Sequence, residues 1–556
     1  MKTRLLAILF LTMGLAFATT WPSATHEPAR ESGSIQAASP VLRLNLGPTD
    51  PMVDPALVSD EPSVFVANQL FLGLVRADDE TGEPIPELAT SWEMSPDATV
   101  CTFTLRSGLT WSDGNPLTTY DVRYGILRSL DPATHAEWAF MLFWIQNAEE
   151  YNSGTIADTN QVGVTVLDYT HLRFTLKQPA AFFPSTLTTP LARPMPAWAI
   201  AAHPTNWAEP AHIVTNGAYR LTAWTHGTSM TLEKNSVYYN AANLRIERVS
   251  FSMVDDATAW AMYQAGQLDS AIVPLADWSA ASNDPVLARQ LHIAFRFGTF
   301  YYGFNTAKPP FDHPLVRKAF AAAVNRQGLL DTVIQYADQQ ALTFTPPGMW
   351  GHVDGPAQGV GIPYDPVQAR QWLAAAGYPN GQGLPPITMM FDSRLSDPNQ
   401  AIASYLRRGW MDDLGATVTI SATEWSDYVE LLRTDAPQVW HLRWYADYPD
   451  AYNFLRESVD GFGRANYGFW NNPAYEGLLD LAMQTNDLNE RAELYRQAEE
   501  ILVETDAVMI PVRYYANGIA TRSYLERSYG HGGYGGWIAD WRMTWRVLLP
   551  LILRSP

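Results

Sequence analysis

The chain has 556 residues, a formal net charge of −20, and 47% hydrophobic against 17% charged residues. That length exceeds what one hydrophobic core usually serves, and so much apolar material excludes a disordered chain, so several folded domains are expected. The acidity excludes a nucleic-acid footprint, which needs clustered basic side chains to release phosphate counterions, and it disfavours anionic membranes.

Lys2 and Arg4 precede an apolar stretch, Leu5 to Ala18, that is too short to span a bilayer. Ala16-Phe17-Ala18 supplies the small residues a signal peptidase needs, so residues 1–18 read as a signal peptide and the protein as exported. Residues 19–40 mix small, polar and proline residues without periodicity and read as a flexible linker. The single cysteine, Cys101, permits no intrachain disulfide, and none stands behind the signal to carry lipid. Cys101 lies in an expected strand, Val100 to Leu105, and reads as a small buried hydrophobe.

Further strands are expected at Val41 to Leu46, Arg173 to Lys177, Ser229 to Glu233 and Val249 to Met253, where apolar and polar residues alternate. Helix starts are marked by a capping side chain and an early proline. Asp312 stands before His313-Pro314, Asp365 before Pro366, and Asn472 before Pro473; Gly377 closes the second of these helices. Strands and helices intermix, which makes the body α/β. The apolar tail Val547 to Ile552 is too short to span a membrane and reads as a last packed strand or a surface-retention tag.

Catalytic motifs are absent. The sequence has no GxSxG elbow, no HExxH, no P-loop and no GxGxxG after a strand. His203, His212 and His226 lack a tight ligand spacing, and one thiol cannot build a cysteine metal cluster. Asp78-Asp79-Glu80 does not have the spacing of a calcium loop and reads as a solvated turn. The glycine-rich run from Gly530 to Trp537 lacks the lysine of a nucleotide loop. Neither an enzyme, a metal site nor a bound cofactor is expected.

Several stretches, in order along the chain, resemble the peptide, nickel and opine class of ABC-importer solute-binding proteins, family 5. They are PELATSWEMSPDATVCTFTLRSGLTWSDGNPLTTYDVRYGILR (86–128), GAYRL (217–221), AGQLD (265–269), YYGFNTAKPPFDHPLVRKAFAAAVNR (301–326), YDPVQARQWLAAAGY (364–378) and WYADYPDAYNFL (444–455). The resemblance implies a two-lobed periplasmic-binding-protein type II fold of α/β lobes, with an extra small subdomain on the first lobe. By that pattern lobe I comprises residues 41–75, 190–298 and 511–556, the subdomain 76–189 and lobe II 299–510, with crossings near residues 299 and 511. The implied job is to close two lobes around a small solute, chiefly a short peptide, and present it to a membrane permease and its ATPase, as a monomer at the periplasm or cell surface.

The same resemblance singles out Asp447 in the W-x-A-D-Y motif as the partner of a peptide's ammonium. It places backbone hydrogen bonding to an extended ligand at Arg443 to Ala446 and makes Trp444 and Tyr445 cleft walls. His441 stands where relatives often carry an arginine, and Arg443 directly precedes the tryptophan, so either is a candidate for the ligand carboxylate. Trp138 and Glu61 fall where relatives place cleft-edge contacts. An oligosaccharide, an opine-like compound or a nickel chelate is the alternative solute. A secreted hydrolase, or a signalling or adhesive receptor without transport, is the alternative class.

Overall fold

The computed structural model describes residues 41–393, 396–459, 466–530 and 536–544. The expected signal peptide and linker, most of the glycine-rich run and the Val547–Ile552 tail lie outside them.

Alternation shapes the first strand, β1 (Val41–Asn45), which buries Leu42 and Leu44 and turns Arg43 outward. Helix α1 (Glu61–Leu70) follows, capped by Asp60, whose carboxylate accepts the Ser63 N–H at 2.9 Å. After a short antiparallel pair, Val75–Ala77 with Pro84–Pro86, four strands form one antiparallel sheet: β2 (Ala89–Met94), β3 (Val100–Leu105), β4 (Val164–Val166) and β5 (His171–Thr175), in the order β2-β3-β5-β4. Cys101 is fully buried there, and burial drives its thiol far above the ordinary range, as suits a small hydrophobe. The expected strand at Arg173 to Lys177 begins and ends two residues earlier, because pairing with β3 stops at Thr175 and Leu176 bridges Ile145 instead.

The chain then completes the first lobe's sheet with β6 (Tyr219–Thr225), β7 (Ser229–Lys234) and β8 (Arg248–Ser252). The order is β1-β8-β7-β6, with β1 and β8 parallel. Helix α2 (Asp256–Gln264), capped by Asp255, leads to β9 (Ser270–Ile272) and to the long β10 (Leu291–Phe304).

Beyond β10 come α3 (Pro314–Ala322), α4 (Pro366–Ala375), β11 (Ile387–Asp392), β12 (Val418–Thr423), β13 (Val439–Tyr445), α5 (Pro473–Gln484) and the returning β14 (Met509–Thr521). The sheet order is β9-β14-β10-β13-β11-β12, with Gln339–Gln340 beside β14. Its core holds Phe300, Tyr302, Phe320, Leu373, Met389 and Trp410.

Asp365 and Asn472 cap α4 and α5, each accepting two backbone N–H groups, and Gly377 leaves α4 at φ +96°. At α3 the cap is His313, not Asp312. Pro314 occupies the first turn, so the residue directly before it takes the capping position, and His313 Nδ1 accepts the Leu315 N–H at 3.2 Å.

β10 and β14 join the lobes. They pair antiparallel in two stretches, Leu291–Phe295 with Ala520–Ala516 and Thr299–Gly303 with Tyr514–Met509, and the register shifts between Phe295 and Thr299. Before the shift β14 also pairs β9; after it β10 pairs β13. The extra subdomain carrying β2 to β5 meets the second lobe through a buried aromatic stack. Phe182 lies 4.3 Å from Tyr452 and 5.7 Å from Tyr448, and the Ala181 N–H donates to the Met483 carbonyl at 2.8 Å.

Candidate functional site

The site grows out of an incomplete pairing. β13 runs antiparallel to β10 along its whole length, from Val439↔Phe304 to Tyr445↔Gly298. On its other side β11 reaches only Val439 and Trp440. At His441 the Tyr428 hydroxyl fills the gap, accepting the His441 N–H at 2.9 Å and donating to its carbonyl at 2.8 Å. His441 therefore points its backbone groups away from β10. Because outward and inward pairs alternate in an antiparallel ladder, Arg443 and Tyr445 do the same. Among the described residues nothing pairs the outward backbone groups of those two. The result is a short open edge at the junction of the lobes.

Asp447 sits just beyond that edge, half-buried. Its N–H donates to Asn453 Oδ1 at 3.2 Å, and Asn453 Nδ2 donates back to Asp447 Oδ2 at 3.1 Å. The same Asn453 holds Glu457 Oε2 at 2.5 Å and accepts the Trp444 indole N–H at 2.9 Å. Asn453 is fully buried, so it fixes both carboxylates and the Trp444 ring as one unit. Burial, reinforced by the Asp447 charge, pushes the Glu457 carboxyl up to about 8.

Tyr445 leads to the first lobe. Its ring stacks on Tyr515 at 5.2 Å, and the Arg296 guanidinium lies 5.0 Å from its centroid. Arg296 stands within the register shift of β10 and pairs with Glu61, the first residue of α1, at 2.9 Å. Burial raises the Glu61 carboxyl and Arg296 opposes the rise. Arg513, paired with Asp338, packs its guanidinium 4.6 Å from Tyr515. Arg443 is half-buried on the same face, and its charge acts on both Tyr445 and Tyr515.

Of the residues expected from the sequence, Asp447 and Trp444 thus meet through Asn453, and Glu61 and Tyr445 through Arg296. His441 is placed differently from a ligand contact. It is fully buried, with its ring 4.2 Å from Phe300 and 5.6 Å from Tyr302. Alternation puts it on the face of Arg443 and Tyr445 but deeper, beneath an aromatic layer. Trp138 precedes the short helix Ala139–Leu142, half-buried against the subdomain core, and makes no side-chain hydrogen bond or ring contact among the described residues. Arg296, Asn453, Glu457, Tyr515 and the Arg513–Asp338 pair are additions from the structure. Asn453 alone had a signal, since it lies in the DAYNFL end of the matched 444–455 stretch.

Two α/β lobes joined by a pair of long strands, with an open strand edge and an aromatic, charged wall at the join, define a two-lobed solute receptor of the type II binding-protein class. The chain belongs to the bacterial extracellular solute-binding proteins, family 5, whose pattern (its middle section) matches residues 83–466. It is 30% identical over 486 residues to the oligopeptide-binding protein OppA of Bacillus subtilis, covering 86% of this chain and 88% of that one. It is 32% identical over 483 residues to the probable deoxycholate-binding periplasmic protein YgiS of Escherichia coli, with the same 86% and 88% coverage. The unliganded open form of MppA, a periplasmic murein tripeptide-binding protein, superposes with a TM-score of 0.83 at 27% identity, covering 90% of this chain and 97% of that one. Haemophilus influenzae OppA in complex with the peptide RPPGFSPFR gives 0.60 at 25% identity, covering 91% and 99%. The lobes here thus stand closer to the open arrangement than to the peptide complex.

Proposed function

We propose that this protein is the exported receptor of an ABC importer and captures short peptides between its lobes for delivery to a permease and ATPase. The observation that carries the reading is the open edge at Arg443 and Tyr445, flanked by Asp447. An extended peptide adds there as a strand, pairing main chain with main chain, so its affinity does not depend on its side chains. Asp447, held in place by Asn453, takes the peptide's ammonium, and Arg443 serves its carboxylate end. Tyr445 and Trp444 wall the cleft. The names of relatives that bind oligopeptides, dipeptides and a murein tripeptide support this. A deoxycholate-like steroid has no ladder of N–H and C=O groups to offer the edge.

In this reading lobe I takes residues 41–75, 190–298 and 511–556, the subdomain 76–189 and lobe II 299–510. Residues 296–298, where the β10 register shifts, act as the hinge. The receptor works as a monomer outside the cytoplasm and turns nothing over. The test is mass spectrometry of solutes carried by the purified protein. It is followed, after unfolding and refolding to strip them, by titration with tri-alanine and small-angle scattering. Peptides in the carried fraction and a compaction on titration are expected. A carried steroid, or an unchanged scattering profile at saturation, overturns the reading.

A further inference from the structure

A cavity of about 260 Å³ opens at the carboxyl end of β1, lined by Asn45, Pro62, Asp256, Ser270, Arg527 and Trp541 among others. Its size approaches that of small-molecule sites. The place is suggestive in itself: in open α/β sheets, ligands favour the crevice beyond the carboxyl ends of parallel strands, and β1 and β8 are the parallel pair of the first lobe. It adjoins the junction described above. Pro62 follows Glu61, and the charges of Asp256 and Arg296 both act on the Tyr336 hydroxyl, in opposite senses.

The chemistry of the lining is specific. Arg527 is half-buried, its Nη1 donating to Ser270 Oγ and its Nε to the Ser528 carbonyl, both at 3.1 Å. Its guanidinium lies 4.2 Å from the Trp541 ring and 5.1 Å from Tyr529. No carboxylate among the described residues forms an ion pair with it. Asp79, whose charge reaches it, is held by the Ser528 hydroxyl. Burial accordingly lowers the guanidinium to about 10. A cation drawn partly out of water without a counter-ion is costly, and an anionic group in the cavity removes the cost. Asp256, in the first turn of α2, adds a carboxylate to the same lining, and burial raises its pKa.

We propose that this cavity is a subsite for an amino-carboxylate, with Arg527 taking the carboxylate and Asp256 the ammonium. A free α-amino acid carries both charges on one carbon, whereas each end of a cleft peptide carries only one and meets Asp447 or Arg443 instead. The subsite therefore does not rest on the peptide reading.

Calorimetric titration of the stripped, refolded protein tests this, with L-alanine, N-acetyl-L-alanine, L-alaninamide and tri-alanine as probes. The variants are Arg527→Gln and Asp256→Asn. For a free amino acid, L-alanine binds the unaltered protein, and each variant and each blocked probe weakens it by about tenfold or more. Tri-alanine, whose two charges lie too far apart to share the cavity, keeps its affinity in both variants. Tri-alanine failing to bind while L-alanine binds in an Arg527-dependent way keeps the subsite and removes the peptide reading. If Arg527→Gln does not fold, Asp256→Asn and the blocked probes decide. Folded variants that leave L-alanine binding unchanged, or an unaltered protein that does not bind L-alanine, overturn the subsite.

Discussion

Arg296 donates two hydrogen bonds to Glu61, at 2.9 and 3.1 Å, while its guanidinium rests 5.0 Å from the Tyr445 ring. One side chain, placed in the register shift of β10, thus touches both the first helix of lobe I and the open-edged strand of lobe II. The ion pair is partly exposed, its side chains 29% and 36% accessible, so its worth to the folded state is small, about 1 kcal/mol or less. Glu61→Gln is expected to leave thermal unfolding nearly unchanged and to lower tri-alanine affinity by about tenfold, because Arg296 no longer holds its orientation against the Tyr445 ring. A clear loss of stability with unchanged affinity would assign the pair to the fold alone.

The buried stack of Phe182 on Tyr452, at 4.3 Å, joins the extra subdomain to the second lobe. Phe182 is fully buried and also meets Trp144 at 4.8 Å. Phe182→Ala removes a ring from a packed interior and is expected to cost roughly 3–5 kcal/mol in urea unfolding. Phe182→Leu, which keeps most of the volume, costs less. A loss below about 1 kcal/mol for the alanine variant shows that the stack relaxes without a cavity.

Stability should fall as pH rises from about 4.5 through 7. Glu499 is fully buried; it accepts the Phe344 N–H and, at 2.9 Å, the Thr345 hydroxyl, and burial pushes its carboxyl from an ordinary 4.5 up to about 7. Between those values the folded state holds a proton that the unfolded chain has released. Its contribution is therefore intact below about pH 4.5 and lost as pH rises through about 7, some 3 kcal/mol in all by linkage. Glu457, pushed up to about 8, carries the same sign to slightly higher pH. Urea titrations at pH 5 and pH 7.5 should show the decline, and Glu499→Gln should remove roughly half of the part that Glu499 and Glu457 share. Parallel declines in the two proteins would place the effect elsewhere.

What the sequence revealed divides by range. Local signals read well: Asp365 and Asn472 cap their helices, and the strand at Val100–Leu105 has the expected bounds. The miss at Asp312 is local too, and follows from the proline fixing which residue caps. Long-range arrangements were not legible. Glu61 and Arg296 are far apart in sequence, and only the folded path of β10 brings them together. His441 was placed by counting from Trp444, but counting along a strand gives the face and not the depth, and depth is what buries it. The open edge at Arg443 and Tyr445 depends on where β11 stops pairing, which no residue in β13 encodes.

The sharpest test concerns Asp447. Asn453 holds its carboxylate at 3.1 Å and its N–H at 3.2 Å, so the group is oriented before any ligand arrives. Asp447→Asn removes the charge and keeps an oxygen for Asn453, so the fold should change by less than about 1 kcal/mol. If the carboxylate meets the peptide's ammonium in the closed cleft, that cation is left without a partner, at a cost of roughly 3–5 kcal/mol. Affinity for free-amine tri-alanine then drops about a hundred- to a few thousandfold. N-acetyl-tri-alanine lacks the ammonium; it should bind the unaltered protein poorly and lose little more with the substitution. Titrating both peptides against both proteins closes a double-mutant cycle that isolates the pairwise energy from any general damage. Glu457 sharpens the reading, because a second carboxyl on the same Asn453 loses a negative neighbour in the variant and its pKa of about 8 should move down. A coupling energy near zero in an intact fold means that Asp447 is a structural member of the Asn453 cluster and that the ammonium, if the solute has one, is met elsewhere.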